Sequence, residues 1–174
     1  MLSAAGSGYA HCMTLLQFRN EDARIVYLAT IYHLGRPGAE VRAVASDAGG
    51  QGLQAIYDEI LPRLNQAVVE VEASAQQILR LNDALLGVAN ELKQFGIANG
   101  RTMVPRFAET LRELFPETAE EPGVALDLVQ HPVMLRNRLA YAIEQARAEV
   151  EAAEQAAEEE RKAKKKWWQV WRSV

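Results

Sequence analysis

The chain has one cysteine, Cys12, among 174 residues. A single thiol cannot close a disulfide within the chain, so nothing points to an oxidising compartment. The residue reads as a small, half-buried hydrophobe. A catalytic thiol would need a base and an orienting group, and only His11 stands near it in sequence. Histidine is almost as scarce. His11, His33 and His131 are far apart and form no HxxxH or HExxH spacing, so the sequence offers no metal or cofactor site. Glycine clusters only at 6–8 and 49–52, without the spacing of a phosphate loop or a dinucleotide fingerprint. No GxSxG elbow occurs. No catalytic residue is assigned, and an enzyme is not expected. A site assembled from distant residues would be sought at His33, His131 and Cys12.

Long apolar runs are also missing. No stretch reaches the roughly 20 apolar residues of a membrane span. The first eight residues, Met1-Leu2-Ser3-Ala4-Ala5-Gly6-Ser7-Gly8, have neither the basic start nor the apolar core of a signal peptide. The expected location is therefore the cytoplasm or a larger intracellular or particle assembly.

What is present is material for helices. Apolar residues make up 49% and charged residues 24%, enough for a core in one domain. Ala, Leu, Glu and Gln dominate the middle and the end, and they lose little side-chain freedom in a helix. The expected fold is mainly α, a small bundle with two long helices and a basic, aromatic C-terminal extension.

A loose lead-in is expected over 1–13 and a short helix over Thr14–Phe18. Asn20 caps a helix over about 21–34, with Glu21 and Asp22 in its first turn and Ile25, Leu28, Ala29 and Tyr32 on one face. Gly35-Arg36-Pro37-Gly38 ends it. Residues 39–51 read as a loop, although the alternation of Val41, Ala43 and Ala45 would also fit a strand.

Residues 53–95 carry the strongest pattern. Tyr57, Leu64, Val71, Ile78, Leu85 and Leu92 recur every seven residues, as do Ile60, Ala67, Ser74, Leu81, Val88 and Phe95. That spacing is coiled-coil-like and predicts one long helix. Its packing seam is Leu64, Val71, Ile78, Leu81, Leu85 and Leu92. Pro62 predicts a kink or break near 61–62. Leu61, Val68, Leu79 and Leu86 widen the stripe, which suits a helix with several neighbours. Gly87 is a weak point within it, and Gly96, Asn99 and Gly100 mark the end. A further helix is expected over 104–115, with Pro105 in its first turn. An acidic loop follows over 116–123. Val124–Val129 is either one helical turn or a strand. A last helix runs from about Pro132 to 165 or beyond, its stripe thinning from Leu135 and Leu139 to Ala153 and Ala157.

Charge is segregated. Of 19 basic and 23 acidic residues, six basic and no acidic ones fall in 161–174, leaving 13 against 23, a net of −10, in 1–160. This predicts an acidic helical domain over 1–160 and an interaction tail over 161–174. The basic groups include Lys162, Lys164, Lys165, Lys166 and Arg172. All three tryptophans, Trp167, Trp168 and Trp171, lie in the same segment. Tryptophan and arginine suit buried anchors at protein interfaces. The same composition would also serve an anionic membrane surface or unpaired nucleic-acid bases, or fold back on the body. The expected role is a helical structural or adaptor subunit, hetero- or homo-oligomeric, whose other protein chains dock on this tail. A peripheral membrane or nucleic-acid adaptor is the alternative.

Overall fold

The computed structural model describes residues 13–35 and 52–172, with side chains through Lys164. His11, Cys12, the lead-in before Met13 and the 39–51 segment lie outside the described residues. The architecture is mainly helical, with one two-stranded antiparallel sheet among the described residues.

The first element among the described residues is a strand, β1 (Met13–Arg19), where a short helix was expected. Its partner β2 (Val68–Ser74) arrives much later, in a register running from Met13 opposite Ser74 to Arg19 opposite Val68. Side chains alternate across the ribbon. Leu16, Phe18, Val69, Val71 and Ala73 face the core, while Leu15, Gln17, Glu70 and Glu72 face outward. A single helical turn could not bury Leu16 and Phe18 together, because they stand two residues apart.

The first helix, α1 (Asn20–Gly35), matches the expected range. It is not amphipathic, however. Every residue from Ile25 to Ile31 is buried, so α1 runs through the middle of the body. Asn20 does something other than cap it. Its amide donates to the carbonyls of Leu64 and Gln66 at 2.5 and 3.2 Å, and its backbone N–H donates to Ala67 at 3.1 Å. It thereby ties the start of α1 to the turn that delivers β2.

The stretch over 53–95, expected as one long helix, is two helices with a 3₁₀ turn and a strand between them. Helix α2 (Gln54–Ile60) ends where Pro62 demands a break, and Leu61–Arg63 form a 3₁₀ turn. The chain then becomes β2, and only afterwards the helix α3 (Ala75–Ile97). A residue every seven positions fits an inward-facing strand residue as well as a helical one. The deciding signal is the period of two in Val69, Val71 and Ala73 against Glu70 and Glu72. Ser74, which interrupts the apolar spacing, is the N-cap of α3: its hydroxyl accepts from the Gln77 N–H at 3.3 Å, and the Gln77 side chain accepts from the Ser74 N–H at 2.8 Å. This capping box satisfies two otherwise orphaned donors.

Helix α3 is the spine. Ile78, Leu81, Leu85, Val88, Leu92 and Phe95 are buried along it. Gly87 is the close approach to α1, since a Cβ there would stand 2.7 Å from Cζ of Tyr32. Gly96 lies inside the helix against Leu126, and the turn after Ile97 passes through Asn99 at φ 52°. Helix α4 (Pro105–Leu114) buries Phe107 and Leu111, with Pro105 in the first turn as expected. The acidic stretch after it is largely helical rather than a loop: α5 (Glu117–Glu120), a 3₁₀ turn (Pro122–Val124) and α6 (Ala125–Leu128). The 124–129 segment is thus helical and not a strand.

The final helix starts slightly earlier than expected and divides at Leu139, giving α7 (Gln130–Arg138) and α8 (Ala140–Arg172). No proline or glycine marks the division. Two arginines pin α7 to the body. Arg138 forms a two-pronged ion pair with Asp22 of α1, one contact at 2.8 Å, and Arg136 Nε donates to Asn82 Oδ1 of α3 at 2.9 Å.

Candidate interaction surface on the C-terminal helix

Helix α8 is 33 residues long. Its first turns lie against α3 and bury Ile143 and Ala146. Beyond Ala146 none of the described side chains is buried. Val150, Ala156 and Ala157 are half-buried, and every other residue from Arg147 to Lys164 is exposed. The physical cause is the thinning stripe. Leu135 and Ile143 offer large apolar side chains to a neighbour, whereas Ala153 and Ala157 bury little area each and cannot hold a helix on a core. At ~1.5 Å per residue, Lys164 stands roughly 27 Å along the axis from Ala146. The segment after Ala146 is hereafter the arm.

The arm remains helical for local reasons. Ala, Glu, Gln and Lys are strong helix formers. Lys162 pairs with Glu158 at 2.8 Å and Lys164 with Glu160 at 2.6 Å, both one turn apart. Acids precede bases, the order the helix dipole favours. The hydrogen bond from Lys164, and then its charge, hold the Glu160 carboxyl below its ordinary pKa. Nearer the body, Arg147 meets Glu144 at 2.8 Å, and Gln145 donates to the Tyr141 hydroxyl at 2.6 Å.

The site residues expected from sequence divide cleanly. Lys162 and Lys164 are exposed on the arm. The helix backbone continues through Lys165, Lys166, Trp167, Trp168, Trp171 and Arg172, whose side chains lie outside the described set. The seam residues are not on a common helix. Leu64 sits half-buried in the turn before β2, Val71 is buried in β2, and Ile78, Leu81, Leu85 and Leu92 are buried in α3. They fill the protein's own core. Sequence reading missed Arg136 and Arg138, whose partners lie 54 and 116 residues away and leave no local signal. It also missed three exposed apolar side chains beside the root of the arm, Val133, Met134 and Tyr141.

His33 occupies the last turn of α1 and His131 the first turn of α7. Among the described residues no group of three or more His, Cys, Asp or Glu could hold a metal, and no helix is long and apolar enough to cross a membrane. Among the described residues the most strongly shifted titratable group is Tyr27. Burial, followed by a hydrogen bond and repulsion from the adjoining Tyr57, pushes its phenol up to about 12. The two rings stack with centroids 5.2 Å apart, and Arg106 lies over the Tyr57 ring. This cluster joins α1, α2 and α4 and reads as packing. Comparison with known proteins leaves the reading on these residues: no family model, curated protein or solved structure matches the chain.

Proposed function

We propose that the chain is a non-enzymatic helical structural or adaptor subunit of a larger protein assembly, in the cytoplasm or within a particle, and that it docks through the arm of α8. One observation carries this. The chain extends a helix well past Ala146, the last of the described side chains that its core buries, and residues 161–172 of that extension carry six basic groups and three tryptophans. Three tryptophans within five residues are a large quantity of apolar side chain, and exposed apolar patches of that size mark contact sites. Lysines around them set orientation and encounter rate.

Removal of everything after Lys162 tests the reading. The truncated chain is expected to keep its unfolding transition and its helical circular dichroism apart from the deleted turns. It is expected to lose the proteins that co-purify with the full chain. An unfolded truncation product would place the tail in the core and end the docking reading. Anionic vesicles and single-stranded nucleic acid are the controls. A blue shift of the tryptophan emission on vesicles, or a gel shift that weakens steeply with salt, would transfer the arm to a membrane or nucleic-acid role. The six acids immediately before the basic run oppose both, because they would lie against the same phosphates.

A further inference from the structure

We infer that the arm's partner is the arm of a second copy of this chain, lying alongside it antiparallel. The inference rests on the docking reading above and names its occupant. Residues 149–160 hold six acids and no base, and residues 161–172 hold six bases and no acid. Two such segments side by side in the same direction would set acid against acid and base against base. Reversing one sets each acidic half against the other copy's basic half along the whole length. The sequence is therefore complementary to itself in one orientation only, and like-charge contacts disfavour the other.

The apolar spacing agrees. Beyond the buried Ile143 and Ala146 the same helix face continues at alternating steps of four and three through Val150, Ala153, Ala157, Glu160 and Lys164, none of them buried. Trp167 and Trp171 fall at the next two positions of the same series. This is the repeat that lets one helix face follow another. From Val150 to Trp171 it covers roughly 30 Å of axis. With one helix reversed, a register places Glu160 opposite Lys164 of the second copy, Ala157 opposite Trp167 and Ala153 opposite Trp171. Small positions meet large ones, and the two charged positions meet with opposite sign. Glu160 and Lys164 already pair within one helix at 2.6 Å and stay exposed there. In the pair each gains a counterpart across the interface. Among the described residues nothing buries the arm's alanine face, while a second arm brings the side chains that fit it.

Sedimentation velocity at micromolar concentration, combined with cysteine cross-linking of the full chain, decides the matter. All variants carry Cys12→Ser. Ala163 flanks the stripe beside the centre of the reversed pair, so Ala163→Cys is expected to form a disulfide-linked dimer. Ala153 is far from its own copy in that arrangement, so Ala153→Cys is expected to stay unlinked. The triple variant Lys164→Glu, Lys165→Glu, Lys166→Glu is expected to weaken self-association by roughly a hundredfold or more. Sharing the helical content of the parent chain, it shows that loss of pairing is not loss of fold. Linking at Ala153→Cys without linking at Ala163→Cys would mean parallel arms and would overturn the inference. So would a full-length chain that sediments only as monomer. In that case a truncation that still loses co-purifying proteins leaves the docking reading standing with a different partner. A truncation that loses nothing removes both.

Discussion

Helices α3 and α8 are the two longest among the described residues and have opposite fates. The first has 23 residues and buries one face from Gln77 to Phe95. The second has 33 and, among its described side chains, buries only Ile143 and Ala146. Both carry an apolar position about every three to four residues. The difference is what occupies those positions. In α3 they are Ile, Leu, Val and Phe, each withdrawing enough area to outweigh the ordering of its neighbours. On the arm they are mainly Ala, flanked by charge. Periodicity gives the direction of a face, and side-chain size decides whether the face can hold anything.

The largest expected effect separates the two helices directly. Leu85→Ala removes a fully buried side chain from the middle of α3. It should cost about 2–5 kcal/mol in urea unfolding, through lost transfer energy and the cavity left behind. Ala153→Ser on the exposed arm should change the same measurement by less than about 0.5 kcal/mol. Comparable losses at both sites would mean that the arm folds with the body, and the contrast between them would collapse.

The second test works on the body alone, by titration. Tyr27 binds its proton more tightly in the folded protein, where its pKa is pushed up to about 12, than in the unfolded chain, where a tyrosine has its ordinary value of 10.0. A raised pKa contributes stability that is fully present below pH 10 and drains away as pH rises toward 12. Stability, and with it the thermal midpoint, should therefore fall across that window, the loss being on the order of 2 kcal/mol. Tyr27→Phe should flatten part of the fall. An unchanged alkaline limb in Tyr27→Phe would remove this tyrosine as its cause.

Ser74→Ala comes next, at about 1 kcal/mol. It deletes the cap on which β2 turns into α3, and the same site shows how far the sequence could be read. Helix α4 was legible to within a residue at each end, because Pro105 opens it and its apolar face is regular. The break at Pro62 was legible as well. What misled was the seven-residue spacing. It carried a helix from Tyr57 through Leu64 and Val71, across a turn and a strand, because it samples too few residues to distinguish two periods. Ser74 looked like a flaw in that pattern and is instead the boundary that ends it. Strand β1 was hidden for another reason. Its seven residues are stabilised by a partner 49 to 61 positions away, and pairing at that distance leaves no local mark. The full burial of α1 was equally invisible, since it depends on neighbours from every side. On the arm, the charge reversal and the tryptophans were plain in the sequence. The continuity of the helix beneath them was only an expectation, because the stripe fades there. The arginine ties from α7 to Asp22 and Asn82 belong with β1, as contacts that only the fold assembles.

The smallest expected effect belongs to the arm and runs opposite to that of Tyr27. Lys164 lowers the pKa of Glu160 in the folded helix. A lowered carboxyl pKa contributes helix stability that is present above the unfolded value and lost as pH falls through the folded one. Acidification below the ordinary carboxylate range should therefore loosen the arm where its charge changes sign. Glu160 is exposed, so water and salt already screen the pair, and the change should be confined to the arm's last turns. Amide exchange in residues 155–164, followed from neutral to acid pH, would record it as faster exchange there than in α3. Glu160→Gln should show the faster exchange already at neutral pH. Equal acceleration in α3 would mean that the charges of the arm reach the core, and the two helices would then form one cooperative unit.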